Sequence, residues 1–267
     1  MSVRLRDLLL GLRDLHLRNA PVIVHASLKS FGEVEGGADT VVNALARTFD
    51  TVIVPTFTYK TMLTPLTGPA DNAMIYGSGA DANRMAEFFT PKTPSDPLMG
   101  TIPETLRKLP RARRSIHPIQ SFAGLNAEMI LTTQTMADPL APLGDLEARG
   151  GWVLLLGVDH TVNTSIHFAE KLAGRKQFVR WALTPKGVVE CPGFPGDSAG
   201  FQAIAADVEK FTRRVKVGKA VILAIPMSML FKTVIACIKK DPLALLCERE
   251  DCERCGEIRR HVGTLER

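Results

Sequence analysis

Two histidines and a glutamate near the middle of the chain have residue types and spacing suited to acid–base chemistry. His160, His167 and Glu170 lie in one polar segment that follows an apolar run. An imidazole accepts protons efficiently near neutral pH, because its unperturbed pKa is about 6.5. His167 and Glu170 share one face of a predicted helix, so the carboxylate can orient the imidazole and favour its protonated form. The pattern indicates proton transfer, and its alternative is an ordinary polar pair on the solvated side of a helix.

The same segment leaves two other chemistries open. The two imidazoles and the carboxylate form a set of ligand types that can bind a metal ion from one side. A serine nucleophile is the other alternative, with Ser27, Ser121 and Ser165 as candidates. None of these serines lies in a Gly-x-Ser-x-Gly sequence, the motif that places a hydrolase nucleophile on a sharp turn.

Similar polar side chains recur where other predicted strands end. Strands are predicted at 21–25 and 51–54, and a strand entrance at 115–124. The polar residues beside them are His25, Ser27, Thr56, Thr58, His117 and Ser121. Ligands of α/β proteins bind outside the carboxyl ends of the strands. We therefore expect these side chains and the central segment to meet at one edge of a single sheet.

The elements that position these residues follow from hydrophobic periodicity. The unbroken apolar run 152–156 predicts a strand buried on both faces, ended by Gly157. Asn163 or Thr164 is a suitable N-cap for the helix that follows. Further helices are predicted near the N-terminus, after Gly36-Gly37, at 102–109, at 201–214 and from Pro226 to about 240. Two strands flanking residues 184–187 predict an antiparallel hairpin.

This alternation predicts an α/β fold. We expect a three-layer sandwich with a mostly parallel central sheet, helices on both faces and a small antiparallel hairpin region. Residues 60–100 lose periodicity, and such a long irregular segment favours a substrate-side loop.

Composition narrows the class of protein. The chain has 267 residues, of which 45% are hydrophobic and 23% charged, as in ordinary globular proteins. Its net charge of +5 favours anionic partners such as phosphates. The sequence contains no dense Lys/Arg block with interleaved aromatic residues, so we expect no nucleic-acid partner. Charges interrupt residues 1–20, and Pro226 and Lys232 interrupt the most apolar stretch, so we expect no membrane partner and a cytoplasmic location.

Several motifs together resemble one enzyme family. The central motif is Gly157-Val-Asp-His160-Thr-Val-Asn163-Thr164-Ser165-Ile-His167-Phe-Ala169-Glu170. Further counterparts, in the same order along the chain, occur at 25–30, 36–37, 55–58, 99–104 and 114–122. The set resembles the aminoglycoside N(3)-acetyltransferases, an antibiotic N-acetyltransferase family unrelated in fold to the GNAT acetyltransferases. The resemblance covers residues 5–175 well and extends loosely to about 240.

The resemblance implies direct transfer of the acetyl group of acetyl-CoA to an amine of an aminoglycoside-like substrate. It implies His167 as the general base, His160 as a second catalytic candidate, and Glu170 as the group that orients His167 or binds the cationic substrate. Asn163 and Thr164 would contact the substrate. The predicted coenzyme contacts are His25, Ala26, Ser27, Leu28, Lys29, Ser30, Thr56 and Ser121. A hydrolase of amides or esters, or a non-enzymatic coenzyme-binding regulator, remains the alternative.

The C-terminal segment is interpreted separately. We predict an acetyltransferase domain over residues 1–246 and a Cys-rich tail over 247–267. In the tail, Cys247-x4-Cys252-x2-Cys255, with His261 beyond, offers three thiolates and an imidazole for a structural zinc ion. An iron–sulfur cluster and three unpaired thiols are the alternatives.

Overall fold

The computed structural model describes residues 2–17 and 19–265. Its strands are β1 (Val22–Ala26), β2 (Val52–Pro55), β3 (Met62–Leu63), β4 (Arg113–Arg114), β5 (Phe122–Leu125), β6 (Trp152–Leu156), β7 (Phe178–Thr184), β8 (Gly187–Phe194), β9 (Arg213–Val217) and β10 (Ala220–Pro226). Its α-helices are α1 (Leu5–Asp14), α2 (Gly37–Thr48), α3 (Ala80–Arg84), α4 (Thr101–Arg107), α5 (Glu128–Leu131), α6 (Ala141–Ala148), α7 (Thr164–Leu172), α8 (Ala205–Val208), α9 (Met227–Lys240) and α10 (Glu253–Leu265).

A seven-stranded sheet with the order β4-β5-β2-β1-β6-β10-β9 forms the centre of the fold. β1 pairs in parallel with both β2 and β6, and the outer pairings are antiparallel. The carboxyl ends of β1, β2 and β6 therefore lie at one edge. Because β5 runs antiparallel to β2, its first residue reaches that same edge.

Helices cover both faces of this sheet, because the strand side chains alternate between two apolar clusters. Val22 and Val24 of β1 pack in the cluster that contains residues of α1, α2 and α4. Ile23 packs in the cluster that contains residues of α5, α6, α7 and α9. This arrangement confirms the predicted three-layer α/β class. The sheet is mixed, with its two parallel pairings in the centre and antiparallel pairings on both sides.

The predicted hairpin is also confirmed as part of a separate three-stranded sheet with the order β3-β7-β8. The Cys-rich segment packs against this sheet, because Ile258 of α10 joins an apolar cluster with Ile119 and Phe178. The predicted domain (1–246) and the predicted tail (247–267) include residues 1, 18, 266 and 267, which lie outside the described residues. Within the described part of the chain, no helix is long and apolar enough to cross a membrane.

The prediction of one helix over residues 201–214 was wrong. That segment contains the short turns Phe201–Ile204 and Glu209–Phe211 around α8, and β9 begins at Arg213. β10 offers an open strand edge, and residues 213–217 pair with it instead of continuing a helix. Tertiary pairing thus overrides a local helical pattern here.

Candidate active site

A cavity of about 620 Å³ opens at the sheet edge where β1, β2 and β6 end. Residues that follow each of these strands form its walls, as the position of the polar clusters predicted. They include Ala26, Ser27, Leu28, Lys29, Pro55, Phe57, Tyr59, Val158, Thr161, Val162 and Thr164. His25 and His167 also line it, and residues 97–101 close another side. The end of the irregular 60–100 segment therefore borders the cavity.

His167 is held by a buried chain of polar contacts. Its Nδ1 lies 2.8 Å from Oε2 of Glu170, and Oε1 of Glu170 accepts from Nη1 of Arg175 at 2.7 Å. The other guanidinium nitrogen of Arg175 donates to the carbonyl oxygens of Pro242 and Ala244, each at 2.8 Å. The side chains of Glu170 and Arg175 are each only 1% exposed. The predicted pairing of His167 with Glu170 is present, and Arg175 extends it.

These contacts define which ring nitrogen of His167 is free to react. An ionised carboxylate only accepts hydrogen bonds, so the contact with Glu170 assigns the hydrogen of the neutral ring to Nδ1. Nε2 then carries the lone pair. The ring also packs edge-on against Phe201, with centroids 4.6 Å apart, which fixes its orientation. A side chain that lines the cavity thus presents a hydrogen-bond acceptor from a rigid position.

Two further histidines, His25 and His160, are buried near the cavity. His25 is 4% exposed and lines the cavity, and its Nε2 has no hydrogen-bond partner among the described residues. Burial, with a smaller contribution from nearby His160, lowers the pKa of His25 to about 3. Burial also lowers the pKa of His160, whose Nδ1 lies 3.3 Å from Nδ2 of Asn163. His160 does not line the cavity, whereas the other catalytic candidate, His167, does.

Thr56 and Ser121 are fully buried and do not line the cavity. Both belong to a network around Arg114, which donates to Oγ of Ser121 at 3.1 Å and to the carbonyl oxygen of Thr56 at 2.7 Å. Burial lowers the pKa of Arg114 to about 10. The network ties the end of β2 to the start of β5, next to the lining residues Pro55, Phe57 and Gln120.

Ser30 joins the ends of two strands. Its hydroxyl donates to the carbonyl oxygen of Gly157 at 2.5 Å, which links the turn after β1 to the end of β6. Gly157 has φ +67°, and a Cβ at this position would lie 2.4 Å from Cβ of Ser30. A glycine is required here both for the backbone conformation and for the close approach.

Gly157→Ala is therefore expected to destabilise the fold by about 2–4 kcal/mol, the sum of left-handed backbone strain and overpacking. It should also disturb the cavity wall, because the turn at 28–30 must shift. Gly150→Ala is the matched control, since Gly150 has φ +74° and nothing within 4 Å of an added Cβ. Urea unfolding of both variants measures the difference, and equal losses would contradict the crowding argument.

His117 does not line the cavity, but it makes the stability of the fold depend on pH. Its Nδ1 accepts from the backbone N–H groups of Ile119 and Gln120, at 3.2 and 2.9 Å. Burial lowers the pKa of His117 to about 4. Between pH 4 and the unfolded value of about 6.5, the unfolded chain binds a proton that the folded chain does not. Stability from this group is therefore complete above pH 6.5 and is lost as the pH falls.

His117→Asn should flatten this dependence, because the amide oxygen can replace Nδ1 as acceptor while the titrating group is removed. At pH 5 the histidine is expected to cost roughly 2 kcal/mol relative to pH 7. Urea unfolding between pH 5 and 7 compares the slopes of the two proteins. His261→Asn, at an exposed position, should leave the slope unchanged. An unaltered slope in the first variant would refute the assignment.

Several lining residues were missed by sequence reasoning. Gln120 and Tyr59 line the cavity, as do Asp197 and Arg254 from distant parts of the chain. Burial raises the pKa of Tyr59 to about 12, so this phenol stays protonated. Arg254 donates to the carbonyl oxygen of Gly196 at 2.9 Å and to Oδ2 of Asp197 at 3.1 Å. No periodic or motif signal links residues 197 and 254, because only the tertiary fold brings them together.

The structure also bears on the predicted substrate contacts and on the alternative chemistries. Thr164 lines the cavity, whereas Asn163 is fully buried and caps α7 by accepting from the N–H of Ser165 at 3.2 Å. No serine hydroxyl of the described residues hydrogen bonds to a histidine ring, as a serine nucleophile would require. The only group of potential metal ligands that converges in residues 2–17 and 19–265 is formed by cysteines, so His160, His167 and Glu170 do not form a metal site.

That group is Cys247, Cys252 and Cys255, whose sulfur atoms lie within 4.8 Å of one another. The prediction of His261 as a fourth ligand was wrong. His261 is exposed and does not join the group. Six residues after Cys255 on α10, it points to another side of the helix, roughly 240° around its axis.

Comparison with known proteins identifies the family of this chain. The aminoglycoside 3-N-acetyltransferase family model matches residues 23–239, and the chain belongs to this family. The aminoglycoside N(3')-acetyltransferase-like protein YokD of Bacillus subtilis is 34% identical over 161 residues, which cover 56% of this chain and 57% of that protein. Aminoglycoside N(3)-acetyltransferase III of Salmonella sp is 29% identical over 223 residues, which cover 72% and 75% of the two chains. The chain thus spans little more than half of YokD.

Solved structures resemble the whole fold. The apoenzyme of aminoglycoside acetyltransferase AAC(3)-IVa superimposes with a TM-score of 0.78 at 25% identity, covering 97% of this chain and 98% of that enzyme. The same enzyme was also solved, as a mutant, in complex with gentamicin (TM-score 0.77, 25% identity, 97% and 98% coverage). A binary complex of AAC-IIIb with CoASH has a TM-score of 0.72 at 22% identity, covering 90% and 97% of the two chains.

Proposed function

We propose that the protein transfers the acetyl group of acetyl-CoA to an amine, with His167 as the general base. The observation that carries this proposal is the contact of 2.8 Å between Nδ1 of His167 and the buried carboxylate of Glu170, at the wall of the cavity. Family membership supports the reaction type, and the CoASH complex of AAC-IIIb supports acetyl-CoA as the donor.

In the proposed reaction, Nε2 of His167 accepts a proton from the attacking amine. The amine attacks in its neutral form, and its nitrogen becomes cationic as the new bond forms, so removal of one N–H proton must accompany attack on the thioester. The amine nitrogen bonds to the carbonyl carbon, the carbon–sulfur bond breaks, and the thiolate takes the proton from the imidazolium. The products are an acetamide and CoASH. Glu170 stabilises the imidazolium formed midway, while Arg175 holds Glu170 in place.

Coenzyme binding is assigned to the turn after β1. Ala26, Ser27, Leu28 and Lys29 line the cavity together with His25. The ammonium of Lys29 supplies a positive charge for the phosphates. We propose that Ser30 supports this turn through its hydrogen bond to Gly157, instead of touching the coenzyme. Thr56 and Ser121 are proposed to support the neighbouring ends of β2 and β5 in the same indirect way.

The acceptor is proposed to be an aminoglycoside-like amine, in line with the family and with the gentamicin complex of AAC(3)-IVa. The charges around the cavity bear on which amines can bind there. Asp197 is the only carboxylate among the lining residues, and its Oδ2 already accepts from Arg249 and Arg254. A polycation therefore finds little free negative charge, and we expect monoamines to compete with aminoglycosides as acceptors.

We place this activity in the cytoplasm, where acetyl-CoA is available to the enzyme. The five cysteines are all unpaired in the structure, as suits a reducing compartment.

The test is thiol release from acetyl-CoA, followed with a chromogenic disulfide, across a panel of aminoglycosides and simple monoamines. We expect release only when both acetyl-CoA and an amine are present, with the acetylated product seen by mass spectrometry. Release without an amine would identify a hydrolase. Saturable coenzyme binding without turnover for any amine would identify a coenzyme-binding regulator.

A further inference from the structure

The three cysteines of the C-terminal segment form a compact buried cluster apart from the cavity. Cys247, Cys252 and Cys255 are 3%, 7% and 0% exposed, and none forms a disulfide. Apart from the partly buried Leu246, they pack mainly against one another. Buried thiols of an ordinary core are dispersed among aliphatic side chains, so this mutual packing needs a separate explanation.

The distances match one shared ion. The sulfur atoms all lie within 4.8 Å of one another. Zinc–sulfur bonds of about 2.3 Å in a tetrahedral arrangement place thiolates roughly 3.8 Å apart. The thiolates of a [4Fe–4S] cluster bind different iron atoms, so they stand farther apart than thiolates that share one ion. The spacing therefore favours a single soft cation over a cluster.

The local backbone supports a ligand-binding turn. Cys252 directly precedes α10 and Cys255 lies in its first turn, where the N–H of Gly256 donates to the carbonyl oxygen of Cys252 at 2.8 Å. Cys247 reaches the same point from the preceding loop. Its carbonyl oxygen accepts from the guanidinium of Arg259, which anchors the loop to the helix.

The surroundings also balance the charge. Three thiolates around a divalent cation carry one net negative charge, and the guanidinium of Arg249 lies beside Cys247 and Cys252. Cys252 borders a cavity of about 280 Å³, which has room for a water molecule as a fourth ligand. In this proposal the water molecule is the fourth ligand, in place of the imidazole of His261 that the sequence suggested.

We propose that Cys247, Cys252 and Cys255 bind one Zn²⁺ ion that fixes the start of α10. The ion would hold the turn that carries Arg254, which lies between two of its ligands and reaches Gly196 and Asp197 at the wall of the active-site cavity. Zinc in this position has a structural role and takes no part in acetyl transfer. Evidence for or against this zinc site does not depend on whether the proposed reaction is correct.

Metal analysis of the full chain, purified under reducing conditions without chelators, tests the proposal. We expect about one zinc and no iron per chain. After exchange, Co²⁺ should give a sulfur-to-cobalt charge-transfer band and the intense visible absorption of a tetrahedral site. Stripping the zinc with a chelator should lower the Tm, because metal-binding free energy contributes to folding.

Cys252→Ser and Cys255→Ser should each lose the metal, while Cys237→Ser, a half-buried cysteine of α9 outside the cluster, should keep it. The cobalt spectrum of the unmutated protein keeps the test decisive if a variant fails to fold. A metal-free native protein, bound iron with inorganic sulfide, a disulfide within the cluster, or zinc retained by both serine variants would each overturn the proposal.

Discussion

Replacing His167 by asparagine is expected to lower kcat/KM for the proposed acetyl transfer by about 10²–10⁴-fold, the contribution typical of a positioned general base. Asparagine can keep a polar contact with Glu170 but offers no group that accepts a proton near neutral pH. The fold should remain intact, because the change removes a ring at the cavity wall and creates no buried charge. Thiol release under subsaturating acetyl-CoA and amine measures the loss.

The matched control is His16→Asn. His16 is exposed and does not line the cavity. Its φ of 52° suits asparagine, which tolerates the left-handed region. The activity of the His16→Asn variant should equal that of the unmutated protein. If folded His167→Asn keeps activity within a few-fold of normal, His167 is not the base and another group must accept the amine proton.

Glu170→Gln is expected to have the largest effect on stability, about 3–5 kcal/mol, because it leaves a buried guanidinium without its counter-charge. The two carboxylate oxygens accept from His167 and from Arg175 at once. An amide has only one acceptor oxygen, so one donor must face its NH₂ group. Activity should fall as well, since the imidazolium loses its stabilising charge. Urea unfolding and thiol release measure the two effects separately.

Glu209→Gln provides the comparison for a surface pair. Glu209 lies 2.5 Å from Arg214, but both side chains are more than half exposed, so its loss should cost at most about 1 kcal/mol. Glu170→Gln combined with Arg175→Met should recover much of the stability without recovering the rate. If Glu170→Gln is as stable as the surface variant, the buried ion pair does not contribute to the fold as described.

Residues close in sequence account for the part of the site that could be predicted. The segment 157–170 contains a strand end, a cap and one helical turn, so local rules place His167 beside Glu170 and Asn163 at the start of α7. The same rules, applied to the ends of β1 and β2, predicted that His25 and the turn after it would share an edge with His167. Parallel strands supply the reason, since their carboxyl ends meet at one edge.

The sequence by itself thus determined the α/β class, the central motif and the clustering of the three cysteines, because each depends on short spacings or on strand direction. Only the tertiary structure decided that Arg175 completes the chain behind Glu170, that β9 is a strand, and that Arg254 reaches the cavity from the C-terminal segment. Those contacts join residues whose separation carries no periodic signal. These contacts depend on side-chain packing, on an unpaired strand edge and on the burial of charge. Such surroundings form only when the chain folds.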